Sequence, residues 1–167
     1  LEYIRLDICD KEKLENVFKN HDIREIIHFA AYKAVGESVE KPIMYYKNNL
    51  LGLLNILEMM EKYSVKSIIF SSSATVYGSP ENIPAKENAK RSFTNPYGGT
   101  KLMAEQILES LNISNKNISI IILRYFNPVG AHKTGLIGED PKGIPNNLMP
   151  IVLKVATGEL EKVKVFG

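Results

Sequence analysis

Apolar positions along the chain alternate between short continuous runs and longer stretches with helical spacing. Tyr3–Ile8 reads as a strand. Asp10–Asn20 reads as a helix, with Asp10 placed to cap it and Leu14, Val17 and Phe18 on one face. Glu25–Ala31 is a compact apolar run of the kind buried on both faces of a parallel sheet. A long helix is predicted from Pro42 to Tyr63, because proline at a first turn gives up only an N–H that would be unpaired there. Its apolar residues, Leu50, Leu51, Leu53, Leu54, Ile56, Leu57, Met59 and Met60, spread over more than one face. Such a helix lies deep in a fold or pairs with another subunit. Ser67–Phe70 forms the next strand and runs into Ser71, Ser72 and Ser73. Ser79–Asn95 is a polar loop, Pro96–Leu111 a helix and Ile118–Phe126 a strand. After Pro128 the texture changes. His132–Pro150 is rich in Gly, Pro and Asn, and Leu148–Thr157 is the last helical stretch.

Strand–helix–strand alternation at these lengths predicts right-handed βαβ units and a doubly wound parallel sheet. Ligands of such sheets gather outside the carboxyl ends of the strands. The segments expected there are Ala30–Gly36, Ser71–Gly78 and Asn127–Gly130, all polar or rich in small residues. The fold class is therefore α/β, with a small-ligand site at one sheet edge.

Composition narrows the setting. The 167 residues suit one ordinary domain, with 44% hydrophobic and 24% charged residues. A formal charge of +2 without a basic stripe predicts no nucleic-acid partner. No stretch resembles a membrane span or a leader. Cys9 is the only cysteine, read as a small core residue; the absence of any internal disulfide suits a cytoplasmic setting. His21, His28 and His132 lack ligand spacing, so no metal site is expected. The chain opens on a strand-like run and closes on Lys162–Gly167, which alternates like another, so it reads as an internal portion of a longer protein.

The candidate chemistry lies in Tyr97-Gly98-Gly99-Thr100-Lys101. Residues four apart stack on one helical face, so a phenol and an ammonium there can share a ligand. A phenol titrates near pH 10 and is a poor base at neutral pH, but a neighbouring cation stabilises its phenolate. The pair is suited to taking a proton from an alcohol as hydride leaves the same carbon. Alone, the spacing equally describes a surface Tyr beside a surface Lys. The serine cluster upstream, at the distance of a strand end plus a loop, changes that balance.

Five blocks carry a resemblance: HFAAYKAVGESV (28–39), SSSATVYG (71–78), NPYGGTKLMAEQIL (95–108), LRYFNPVGAH (123–132) and GEDPKGIPNNLMP (138–150). In order and spacing the chain resembles the UDP-glucose 4-epimerase family, in the extended, sugar-nucleotide branch of the short-chain dehydrogenase/reductase superfamily. The resemblance implies a Rossmann-like NAD-binding fold, partial here because its first βαβ unit, with the Gly-rich phosphate loop, would precede Leu1. Residues 1–127 would form the partial NAD-binding domain and 128–167 the start of the UDP-sugar region.

It also implies roles. Tyr97 would be the acid/base, and Lys101 would hold the NAD ribose hydroxyls and favour the Tyr97 phenolate. Ser73 or Thr75 would share the proton of the sugar 4-hydroxyl. Asp7 and Ile8 would contact adenine. Phe29, Ala30, Ala31, Lys33, Asn48, Ser71, Tyr125 and Phe126 would lie along the cofactor, with Asn48 buried. Asn127, Asn147, Leu148 and Phe166 would meet the UDP-hexose. Each has a plainer reading: Asp7 as a strand end, Asn48 as a core amide, Lys33 as a loop residue, Tyr125 and Phe126 as core, and Asn146–Asn147 as a helix cap. The implied reaction oxidises C4 of the hexose reversibly, through a transient 4-keto sugar, and interconverts UDP-galactose and UDP-glucose. A homodimer through helices 42–63 and 96–111 is implied as well.

Gly-Gly-Thr stands at 98–100 where the family usually has Gly-Lys-Ser or Gly-Lys-Thr, removing one basic residue. Alternative readings are an epimerase of UDP-N-acetylhexosamines, a dehydratase of the same branch, or a non-catalytic partial binding module. Ser73-Ala74-Thr75, where dehydratases usually carry acidic residues, counts against the dehydratase.

Overall fold

Three parallel strands in the order β1-β2-β3 form the frame of the computed structural model, which describes residues 2–139, 145 and 147–165. They are β1 (Glu25–His28), β2 (Ser67–Ser73) and β3 (Ser119–Tyr125). The helices are α1 (Lys11–Asn20), α2 (Val35–Glu40), α3 (Pro42–Lys62), α4 (Pro96–Ser114) and α5 (Leu148–Ala156). Helices α2 and α3 lie in the crossover from β1 to β2, and α4 in that from β2 to β3, the connection parallel strands require. The chain is an α/β protein with a parallel Rossmann-like sheet.

Local chemistry sets the helix starts. The Asp10 carboxylate accepts from Lys13 N at the head of α1, as its position predicts. Pro42 and Pro96 stand in the first turns of α3 and α4. Helix α2 was not legible, since it has six residues and Ala34 offers no side-chain cap.

Sheet register explains the core. Ile26, Ile68 and Ile120 form one row across the strands, and His28, Phe70 and Ile122 the next. These rows face Leu53, Ile56, Met59 and Met60 of α3 and Ala104 and Leu108 of α4, with Leu14 and Phe18 of α1 closing the cluster. The intervening row faces away. Ile27 is 62% exposed and Ile121 48%. The expectation that the β1 run is buried on both faces is therefore corrected: among the described residues, helices cover one face of this sheet.

Three further corrections concern strands. Tyr3–Ile8 forms no ladder with β1–β3, because a strand exists only where a neighbouring backbone pairs with it. Leu6 and Ile8 still pack against the core, and Asn55 donates to the carbonyls of Ile8 and Cys9. Cys9 accordingly lies in a turn, half-buried, rather than in a strand. Strand β1 ends at His28, so Phe29–Ala31 belong to the loop beyond it. Residues 162–165 form no strand, and Phe166 and Gly167 lie outside the described residues.

The chain divides into two compact units, Leu1–Phe126 and Asn127–Gly167. The second contains α5 and, before it, a turn in which the His132 amide donates to the Ile137 carbonyl. Among the described residues no helix is long and apolar enough to cross a membrane.

Candidate active site

All three strands point the same way, so their carboxyl ends share one edge, and Ser71, Ser73, Thr75, Tyr97 and Lys101 lie together at the end of β2. Lys101, one turn into α4, is 5% exposed. Its ammonium donates to the Ser71 carbonyl at 2.6 Å. It also lies 4.9 Å from the Phe70 ring centre and 6.0 Å from that of Tyr97. A surface lysine is thereby excluded. Burial pushes the Lys101 ammonium down to about 8. His28, at the end of β1, is pushed down to about 4 by burial and then by the Lys101 charge, so it is a neutral imidazole beside a cation.

Tyr97 is half-buried in the first turn of α4. The Asn95 side chain caps that turn by accepting from Gly98 N at 2.9 Å. Thr100 donates to the Tyr97 carbonyl at 2.7 Å and receives a hydrogen bond from Asn49 at 3.0 Å. Gly98 stands at a close approach: a Cβ there would sit 3.1 Å from the Thr75 carbonyl oxygen. Gly98 thus lets α4 approach the turn after β2, whereas a Cβ at Gly99 would meet the Tyr46 hydroxyl at 2.8 Å.

Ser73 closes β2 and caps the 3₁₀ turn Ala74–Val76, its hydroxyl oxygen accepting from Thr75 N at 3.2 Å. The Thr75 hydroxyl lies 3.0 Å from that of Ser73. The two alternatives for sharing a proton are therefore one hydrogen-bonded pair.

Sequence reasoning missed a charged cluster beside them. Glu105, fully buried one turn beyond Lys101, accepts from Ser72 Oγ at 2.5 Å, Arg124 Nε at 2.9 Å and Arg91 at 3.0 Å. Burial would raise its carboxyl, but hydrogen bonds from Arg124, Ser72 and Arg91 outweigh this and hold it below the usual range. Arg124 also donates to the Tyr77 hydroxyl and the Glu87 carbonyl, and Arg91 forms a fork with Glu109. The register of β2 and β3 sets Ser72 opposite Arg124, a pairing that no local pattern in the sequence marks.

Other expected positions fall as follows. Phe29 and Tyr125 expose aromatic rings 6.3 Å apart, and Ala30 and Lys33 are exposed with Ala31 half-buried. Phe126 is exposed and lies 6.4 Å from Tyr77. Asp7 is exposed and accepts from Cys9 N in a turn, while Ile8 is half-buried. Asn48 was expected to be buried. It is half-buried, and Asn49 is the buried amide, because Asn49 shares the inward face with Tyr45, Leu53 and Ile56. In the second unit Asn127 and Leu148 are exposed, and Asn147 heads α5 with its amide donating to Glu139 and its side-chain oxygen accepting nothing from the helix. Phe166 lies outside the described residues. A cleft of about 590 Å³ beside β3, lined by Tyr77, Glu87 and Arg124 among others, includes neither Tyr97 nor Lys101.

The edge fits a dinucleotide. Exposed aromatic rings offer flat apolar surface, and an ammonium has three donors of which Ser71 takes one. A parallel sheet with a Tyr–Lys pair on the helix that follows its central strand places the chain in the class of Rossmann-like α/β proteins. The comparisons narrow it further: residues 1–167 match the NAD dependent epimerase/dehydratase family throughout, and the chain belongs to that family. It is 56% identical over 167 residues to UDP-glucose 4-epimerase of Bacillus subtilis (strain 168), covering all of this chain and 49% of that relative. The Caenorhabditis elegans UDP-glucose 4-epimerase is 55% identical over 164 residues, which is 97% of this chain and 47% of that protein. The crystal structure of UDP-glucose 4-epimerase from Bifidobacterium longum, in complex with NAD+ and UDP, superposes with a TM-score of 0.92 at 55% identity, over 98% of this chain and 49% of that one. The chain spans about half the length of the relatives it matches.

Proposed function

We propose that the full-length protein containing this chain is an NAD-dependent UDP-glucose 4-epimerase that interconverts UDP-galactose and UDP-glucose. The observation that carries the reading is the buried Lys101 ammonium beside Tyr97 at the sheet edge, in a chain 56% identical to such an epimerase. Tyr97 takes the proton of the sugar 4-hydroxyl, and the Ser73–Thr75 hydroxyl pair shares it. Lys101, held by the Ser71 carbonyl, keeps its remaining N–H groups for ribose hydroxyls and its charge for the phenolate. NAD, when bound, supplies the hydride acceptor and donor at C4. Tyr97 returns the proton when the hexose is re-formed with either configuration, so the net reaction is an isomerisation. Asn127, Asn147, Leu148 and Phe166 serve the UDP-hexose, and Asp7, Ile8, Phe29–Ala31, Lys33, Asn48, Ser71, Tyr125 and Phe126 the cofactor.

The protein works as a homodimer through α3 and α4, a reading supported by Leu51, Leu54 and Met103, which are apolar and exposed on those helices. It is cytoplasmic; the single unpaired cysteine suits a reducing compartment. The experiment is an epimerisation assay of the full-length protein with UDP-galactose, alongside Tyr97→Phe. Turnover in the parent and a loss of two orders of magnitude or more in the variant is expected, on the order of general acid–base contributions. Equal rates would remove Tyr97 from this role.

A further inference from the structure

Lys101 and Glu105 stand four residues apart on α4, on one helical face, and they grip consecutive residues of β2. Lys101 takes the Ser71 carbonyl at 2.6 Å, and Glu105 takes the Ser72 hydroxyl at 2.5 Å. The next residue, Ser73, orders Thr75. Glu105 is itself fixed from two other directions, by Arg124 of β3 and by Arg91 in the loop that leads into Tyr97. Loop, helix and both strands therefore converge on one carboxylate. It is fully buried and every oxygen is engaged, so its orientation has little freedom.

We propose that Ser72 and Glu105 are positioning residues: their hydrogen bond, with Arg124 behind it, sets the end of β2 against α4 and so fixes Lys101 and Tyr97 relative to Ser73 and Thr75. The inference rests on reading Tyr97 and Lys101 as the working pair. The Ser72 side chain lies in the helix-facing row beside Arg124 and donates to Glu105. Its hydroxyl acts only through the groups on either side. Misplacement of a reacting group by about 1 Å is enough to cost on the order of 100-fold in rate.

The test uses the full-length protein. In Ser72→Ala, the amides of 71–75 and 97–101 are expected to exchange hydrogen faster while those of α1 are unchanged. Epimerisation kcat is expected to fall by roughly 10–100-fold, with KM within about three-fold of the parent. Ser72→Thr, which keeps the hydroxyl, restores most of kcat. Leu14→Ala, which destabilises the far end of the core, lowers thermal stability and leaves kcat alone. If Ser72→Ala does not fold, Ser72→Cys, which keeps the side-chain size but offers only a weak S–H donor to Glu105, carries the same measurements with the same expected direction. Unchanged exchange over both segments, or a KM effect with kcat intact, overturns the positioning role. The exchange measurement needs no turnover, so an absence of epimerase activity in the parent would refute the functional reading and leave this arm decisive.

Discussion

The Lys101 ammonium lies 2.6 Å from the Ser71 carbonyl oxygen, inside a protein interior that disfavours its charge. A lysine kept there at a cost to stability is expected to give stability back when removed. Its proton is held at about 8 in the fold, against 10.5 ordinarily. Between those values the unfolded chain binds the proton and the folded one has released it, so stability rises with pH across that window. Lys101→Met in the full-length protein should therefore be more stable than the parent near neutral pH, by roughly 1–3 kcal/mol, while losing activity. The gap should close as pH climbs through the window. Urea unfolding at a series of pH values reads this, and a variant no more stable at neutral pH would contradict it.

His28 gives the acid-side counterpart. Its folded value of about 4 lies below the ordinary 6.5, so on acidification the unfolded chain gains a proton the fold refuses. Stability present above the upper value is lost as pH falls toward the lower one. His28→Gln should flatten this part of the profile by a difference of order 2–3 kcal/mol. Parallel slopes for parent and variant between those pH values would show that other groups govern acid unfolding.

Asn49 and Asn48 are adjacent and chemically identical, yet their substitutions should differ. Asn49 accepts from Tyr32 N and donates to Tyr32 O and to Thr100, which in turn holds the Tyr97 carbonyl. Asn49→Ala removes three hydrogen bonds, one of them buried at Thr100, and should cost about 2–3 kcal/mol. Asn48→Ala removes one half-buried donor and should cost under about 1 kcal/mol. Denaturant midpoints of the two variants decide the matter; equal losses would mean that Asn49 is not the staple.

Leu54 is 42% exposed on α3 although its neighbour Leu53 is fully buried. If α3 and α4 form the dimer contact, Leu54→Asp places a charge in it and should convert the full-length protein to a monomer by sedimentation. A dimer unchanged by Leu54→Asp would move the interface elsewhere.

The frame was legible where its causes are local. The Asp10 cap, the prolines opening α3 and α4, and the period of their apolar residues are written within a few neighbours. The Tyr97–Lys101 pair was legible for the same reason, being one helical turn apart. Tyr3–Ile8 was not, because β-rich composition describes a strand's willingness to pair and not whether a partner lies beside it. Nor was the Glu105 cluster. Its members lie 14 to 33 residues from Glu105, and nothing near Glu105 distinguishes it from a solvated helix residue. The choice of Asn49 over Asn48 could have been made by counting helix phase from Tyr45. The half-exposed sheet could not, since an apolar run looks the same whatever covers it.

Three serines in a row look redundant, and the fold treats them as three different parts. Ser71 offers a carbonyl, Ser72 a hydroxyl toward the helices, and Ser73 a hydroxyl toward the following turn. Because strand side chains alternate, sliding this run by one position would present every hydroxyl to the opposite face. The segment should therefore tolerate changes of residue better than changes of length. Loss or gain of a single codon between Phe70 and Ala74 would be expected to disable the site even if another serine replaced the one displaced.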